Sequence, residues 1–143
     1  MTEQTLRMKM LRAVALRADS FYTKAEHLGG RAAQALTDKK RSQINGLEGI
    51  ANSALKTTDV FDFIKVRTAR QDKWREGDWG PDLLDYLSRD LREQRKAICT
   101  NLEIDPNSAE GIQVHLLLIR EFVRQLAAQY EYACRFPNAG GAG

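Results

Sequence analysis

Between residues 65 and 75 the chain places five cationic side chains, Lys65, Arg67, Arg70, Lys73 and Arg75, against a single acid, Asp72. Guanidinium groups present a planar fork of donors that matches two phosphate oxygens at once and stays charged at physiological pH. Helical steps of three and four put Val60, Phe63, Arg67, Arg70 and Trp74 on one side of a helix. An apolar stripe therefore turns into an arginine–tryptophan stripe, and Trp74 or Trp79 can offer a ring face for base stacking. The same residues support a plainer reading. Arg67 and Arg70 can cover the edge of a core with their stems and pair with Asp82, Asp85 or Asp90.

Two further basic groups follow the same logic. Arg120 and Arg124 lie four apart on a late helix and repel one another unless an anion, Glu121 or Glu131 faces them. Lys39, Lys40 and Arg41 open another helix, where positive charge opposes the helix dipole and an anionic partner would relieve the cost. The candidate nucleic-acid contacts are thus Arg67, Arg70, Lys73, Arg120, Arg124, Lys39, Lys40 and Arg41.

Catalytic chemistry has no comparable signature. The two histidines, His27 and His115, lack Cys, His or carboxylate partners at metal-ligand spacing. Gly77 and Gly80 flank Trp79 in a turn rather than a phosphate-cradling loop. No carboxylate pair stands out for acid–base work. The expectation is a protein that is not an enzyme, with no catalytic residue, no metal and no cofactor.

Five helical segments must position the basic residues. The first is expected from Glu3 to Leu28, with Leu11, Val14, Ala18, Phe21, Ala25 and Leu28 on one stripe and Gly29-Gly30 ending it. Thr37-Asp38 caps the second, whose buried side is Ile44, Leu47, Ile50, Ala51, Ala54 and Leu55. The third runs from Thr57-Thr58-Asp59 to about Trp74. The fourth starts at Pro81 or Asp82 and carries Leu84, Leu87, Leu91, Ile98 and Leu102. The fifth follows Asp105-Pro106-Asn107-Ser108 and ends near Arg135, with Ile112, Leu116, Ile119, Val123, Leu126, Tyr130 and Ala133 as its core stripe. The expected architecture is all-α, an irregular bundle of about five helices. Residues 1–136 form one helical domain, and residues 137–143 are expected to be a disordered tail.

Bulk properties agree with this class. A chain of 143 residues, 43% hydrophobic, with three prolines, suits one domain able to bury its own core. The net charge of +3 permits anionic partners without demanding them. Cys99 and Cys134 read as free thiols in a reducing cytoplasm. No apolar run approaches the length needed to span a bilayer, so no membrane role is expected and the location is expected to be cytoplasmic.

Two stretches carry a family resemblance. One is Leu36-Thr37 opening a helix, followed by Phe63-Ile64-Lys65-Val66-Arg67-Thr68-Ala69-Arg70. The other is Arg120-Glu121-Phe122-Val123-Arg124-Gln125-Leu126-Ala127-Ala128-Gln129-Tyr130-Glu131-Tyr132. In these the chain resembles the small α-helical subunit of type III CRISPR effector complexes, the Csm-type small subunit, as a diverged relative. The segment from Trp74 to Pro81 has no counterpart in that pattern. The resemblance implies a non-catalytic subunit of an antiviral ribonucleoprotein complex. It would stack on further copies of itself, meet other CRISPR effector subunits, and contact the backbone of the guide–target RNA duplex. The guide would then supply sequence specificity. The competing expectation is a helical protein–protein adaptor whose basic faces are merely solvated.

Overall fold

The computed structural model describes residues 2–137, so the expected tail lies almost entirely outside the described residues. Helix α1 spans Glu3–Ala18, α2 Tyr22–Leu36, α3 Arg41–Ser53, α4 Thr57–Arg70, α5 Asp72–Arg75, α6 Trp79–Asp85, α7 Leu91–Leu102 and α8 Ala109–Arg135. Short 3-10 turns join α1 to α2, α2 to α3 and α5 to α6, and a π-helical turn at Tyr86–Asp90 fuses α6 to α7. Among the described residues there is no strand. The chain is an all-α bundle, and no described helix is long and apolar enough to cross a membrane.

Helix α8 is the axis of the bundle. Its residues from Val114 to Ile119 are buried without interruption, because α1, α2, α3 and α7 all pack against it. A helix enclosed on most sides needs apolar character beyond one stripe, and the run Leu116 to Ile119 supplies it. Its start is set by Ser108, whose hydroxyl accepts the Gly111 amide at 3.2 Å. This satisfies one of the first-turn donors that a helix leaves unpaired.

The first expected helix is divided. A 3-10 turn at Asp19–Phe21 separates α1 from α2, and α2 continues through Gly29-Gly30 to Leu36. Gly29 does not end a helix; it lets two helices touch. A Cβ there would stand 2.7 Å from the Gln129 Cβ and 2.8 Å from the Leu126 carbonyl oxygen of α8. The glycine is kept for close approach, not for a left-handed turn.

The expected third helix is also divided, at Gln71 between α4 and α5. The break folds the chain back so that Trp74 and Trp79 lie against one another, ring centroids 4.5 Å apart. Gly80 makes this possible, since a Cβ would meet the Trp74 carbonyl oxygen at 2.5 Å. Three residues expected in core stripes are instead at the surface: Leu11 is 45% exposed, Leu55 90% and Ile112 37%.

Candidate nucleic-acid interface

The basic residues fall into two groups at opposite ends of α3. The first is assembled by Gln43, in the opening turn of α3. Its amide nitrogen donates to Gln71 Oε1 at 2.6 Å, and its carbonyl oxygen accepts the Trp74 indole N–H. One turn further on, Gly46 leaves room for the Phe63 ring of α4, whose Cζ would lie 3.3 Å from an added Cβ. The start of α3 therefore lies beside the end of α4 and the start of α5. Lys39 and Lys40, just ahead of α3, come to the same end of the bundle as Arg67 and Arg70 in the last turn of α4 and Lys73 in α5.

Lys39 and Arg70 are exposed, and Lys40 and Arg67 are half-buried. Among the described residues none of these four has a carboxylate within ion-pair distance. The Arg67 guanidinium lies over the Phe63 ring, 5.0 Å from its centroid, which fixes its plane without neutralising it. Lys73 is paired with Glu76 at 3.5 Å, an exposed contact of the kind that exchanges easily for a phosphate. Asp38 and Asp72 accompany the cluster, but its bases outnumber its acids.

Arg41 turns away from this group to pair with Glu131 of α8. Arg120 belongs at the other end of α3, about 20 Å away by the rise of a 13-residue helix. It donates from Nε to the Ala51 carbonyl at 2.9 Å and from a terminal nitrogen to the Ala54 carbonyl at 3.1 Å. These are acceptors at the end of α3, so Arg120 closes that helix and is not presented to a phosphate. Arg124 is 65% exposed but bonded through two nitrogens to Glu121. The structure thus separates Arg120 and Arg124 from Lys39, Lys40, Arg67, Arg70 and Lys73.

Two other sequence expectations are corrected. Trp74 and Trp79 are fully buried, and the Trp79 indole donates to the Lys73 carbonyl at 2.9 Å, so neither ring is a stacking face. None of the aspartates expected beside Arg67 and Arg70 pairs with them: Asp82 is engaged by Arg31 at 2.8 Å and Asp85 by Arg89 at 3.2 Å, and Asp90 has no ion-pair partner among the described residues. Arg75 donates to the Thr68 and Ala69 carbonyls at 2.8 and 3.2 Å and serves as a side-chain cap for α4. Arg31 and Arg75 fasten the Trp74–Asp82 segment, a role that basic spacing alone does not signal.

His115, Cys99 and Cys134 are shifted by burial toward their neutral forms. His115 is 2% exposed; its Nε2 lies 2.8 Å from the Leu87 carbonyl and its Nδ1 3.2 Å from an Arg95 nitrogen. Leu87 can only accept and Arg95 can only donate, so the imidazole carries its proton on Nε2 and is neutral. Burial, more than the neighbouring Arg95 and Arg92 charges, holds its pKa below the ordinary 6.5. Both ring nitrogens are occupied by these partners. Burial also raises the Cys99 and Cys134 thiol pKa values, the opposite of nucleophile activation. Among the described residues no three His, Cys, Asp or Glu side chains are grouped to hold a metal ion.

No family model matches this chain, no curated protein is detectably similar to it, and no solved structure matches its fold.

Proposed function

We propose that this protein is a non-catalytic, RNA-contacting subunit of an RNA-guided ribonucleoprotein complex, of the type III CRISPR small-subunit kind. The observation that carries the reading is the Gln43 bridge. It brings two basic segments, separated in sequence by α3 and most of α4, to one end of the bundle. There Lys39, Lys40, Arg67 and Arg70 stand without carboxylate partners among the described residues. Unpaired like charges brought together cost free energy in the isolated protein, and a polyanion removes that cost while releasing its counterions.

On this reading the partner is an RNA backbone, and other effector subunits or further copies of the chain cover the remaining surface of a cytoplasmic complex. No base is read at the cluster, since lysine and arginine contacts to phosphate carry no sequence information. The test is a salt titration of RNA binding. Wild-type log affinity is expected to fall linearly with log salt. Arg67→Ala and Arg70→Ala are each expected to reduce that slope by about 0.7 to 0.9 for every phosphate no longer neutralised. Unchanged slopes for both variants would reject the site.

A specific observation favours the adaptor reading as a second choice. An open cavity of about 410 Å³ lies between α1, α3 and α8, lined by apolar Leu11, Val14 and Leu117 and by polar Glu48, Asn52 and Glu121. Such a mixed groove suits a docked helix. Release of a protein partner by Leu11→Glu, with RNA binding intact, would select it.

A further inference from the structure

Three aromatic side chains on α2 and α8 escape the core, and two of them are neighbours. Tyr22 is 43% exposed, Tyr132 50% and Phe136 51%. Tyr22 opens α2, while the other two lie four residues apart at the end of α8. The Gln129 amide donates to the Tyr22 hydroxyl at 2.7 Å, one helical turn before Tyr132. The Tyr132 and Phe136 rings are 5.0 Å apart and inclined by 36°, so each holds the other in place and leaves ring surface open to solvent.

Charges of both signs flank this patch, with Asp38 near the same end of α8. Arg135, between the two rings in sequence, is exposed and has no carboxylate partner among the described residues. Glu131, the acid on the same turn, is neutralised by Arg41. Glu26, partly buried, stands one turn along α2 from Tyr22. The exposed large aliphatic residues, Met8, Leu11, Leu16, Leu55, Val66 and Ile112, all belong to other helices or loops, or to the far end of α8. An apolar docking face for a protein would draw on such residues; this one offers aromatic rings, an amide and a guanidinium.

The patch is also tied to the cationic cluster. The Tyr130 hydroxyl donates to the Thr37 carbonyl, and Arg41 pairs with Glu131. These contacts hold the segment that carries Lys39 and Lys40 against the same turns of α8 that carry Tyr132. The negative end of the α8 dipole disfavours a phosphate directly beyond it. Bases, rather than phosphates, suit the rings there, with Arg135 available to the backbone alongside.

From this arrangement we infer that Tyr132 and Phe136, with Arg135 beside them, form a stacking platform for unpaired bases of single-stranded RNA. The inference rests on the RNA reading above and deepens it: the lysine–arginine cluster holds backbone, and the platform takes bases that are free of a duplex. Aromatic stacking tolerates any base because every base has a π-face, so the platform adds affinity for single strands without adding sequence preference.

The experiment compares an oligoadenylate with an abasic ribose–phosphate oligomer of equal length, using the full chain at low salt. The double variant Tyr132→Ala/Phe136→Ala changes only half-exposed side chains, and an unchanged melting temperature checks that it folds. It is expected to bind oligoadenylate about tenfold more weakly for each stacking ring removed. Its salt slope and its affinity for the abasic oligomer are expected to stay at wild-type values. Tyr132→Trp/Phe136→Trp is expected to retain oligoadenylate binding. Lys39→Gln/Lys40→Gln serves as the comparison and is expected to weaken both oligomers and lower the slope. If the lysine variant behaves so while the double alanine variant is silent, the backbone reading stands and the platform is overturned. Equal wild-type affinity for the two oligomers overturns the platform as well. Absence of wild-type binding to either overturns both readings. Altered self-association of the double alanine variant with unchanged RNA binding assigns the face to a second copy, which also overturns the platform.

Discussion

The side-chain oxygen of Gln43 accepts the indole N–H of Trp74, a residue buried completely where α5 packs on α2, α4 and α6. The bond stabilises the fold and holds the cluster together. It satisfies the one polar atom of a large core side chain, and it anchors the start of α3 to the turn between α4 and α5. Gln43→Leu is expected to leave that indole donor unpaired and to destabilise the protein by about 1–3 kcal/mol. RNA affinity should fall with it, because Lys39 and Lys40 lose their fixed position beside Arg67 and Arg70. Thermal melts and RNA titration on one variant check both effects. A large thermal loss with wild-type RNA affinity would uncouple the bridge from the cluster.

Arg120 and Arg70 are expected to separate cleanly. Arg120→Ala removes two hydrogen bonds to the end of α3 and should cost about 2 kcal/mol of stability, with no change in the salt slope of RNA binding. Arg70→Ala is an exposed change and should stay within about 0.5 kcal/mol of wild type in stability while lowering the slope. The same two measurements on Arg124→Ala should show little of either, since its ion pair with Glu121 is intrahelical and largely exposed on the arginine side.

Stability is expected to fall as the solution is acidified through the ordinary histidine range. The folded protein keeps His115 neutral with a pKa below 6.5, whereas the unfolded chain takes up a proton near that value. The unfolded state therefore binds more protons, and its advantage grows as pH falls below about 6.5 toward the folded-state value. The contribution is fully present above that range. Denaturant melts at neutral and mildly acidic pH should show the loss, and His115→Gln should flatten it. A wild-type curve level across that range would contradict the buried, neutral assignment.

Gly29→Ala is expected to destabilise by about 1–3 kcal/mol, the usual cost of forcing an added methyl into a packed interface. The obstacle is partly backbone, the Leu126 carbonyl oxygen, which cannot rotate away. Gly49→Ala, in a helix with open space at that position, should instead stabilise by up to about 1 kcal/mol through helix propensity. If the two substitutions gave the same sign, close approach would not be the reason for Gly29.

The helical class and most of the core are legible in the spacing of the apolar residues. Apolar residues recurring at three and four, from Val14 to Ala133, make a strand assignment untenable, and Ser108 and Pro137 bracket α8 where its bounds fall. Basic composition also pointed to Lys39, Lys40, Arg67, Arg70 and Lys73 as cations near helix ends. It could not say which cations would be spent on the fold. Arg120 and Arg75 serve carbonyls of other segments, and Arg41 serves Glu131, because a helix end leaves acceptors that any nearby guanidinium can reach. Periodicity likewise read Trp74 as an extension of the arginine stripe. The break at Gln71 instead rotates it into the core against Trp79, and a break of one residue leaves almost no trace in a pattern counted over several turns. The juxtapositions on which the proposed reading draws, Gln43 with Trp74 and Tyr22 with Gln129, join side chains far apart along the chain. Only tertiary packing decides such distances, since the orientation of one helix against another depends on contacts such as Gly29 on α8 that local spacing does not encode.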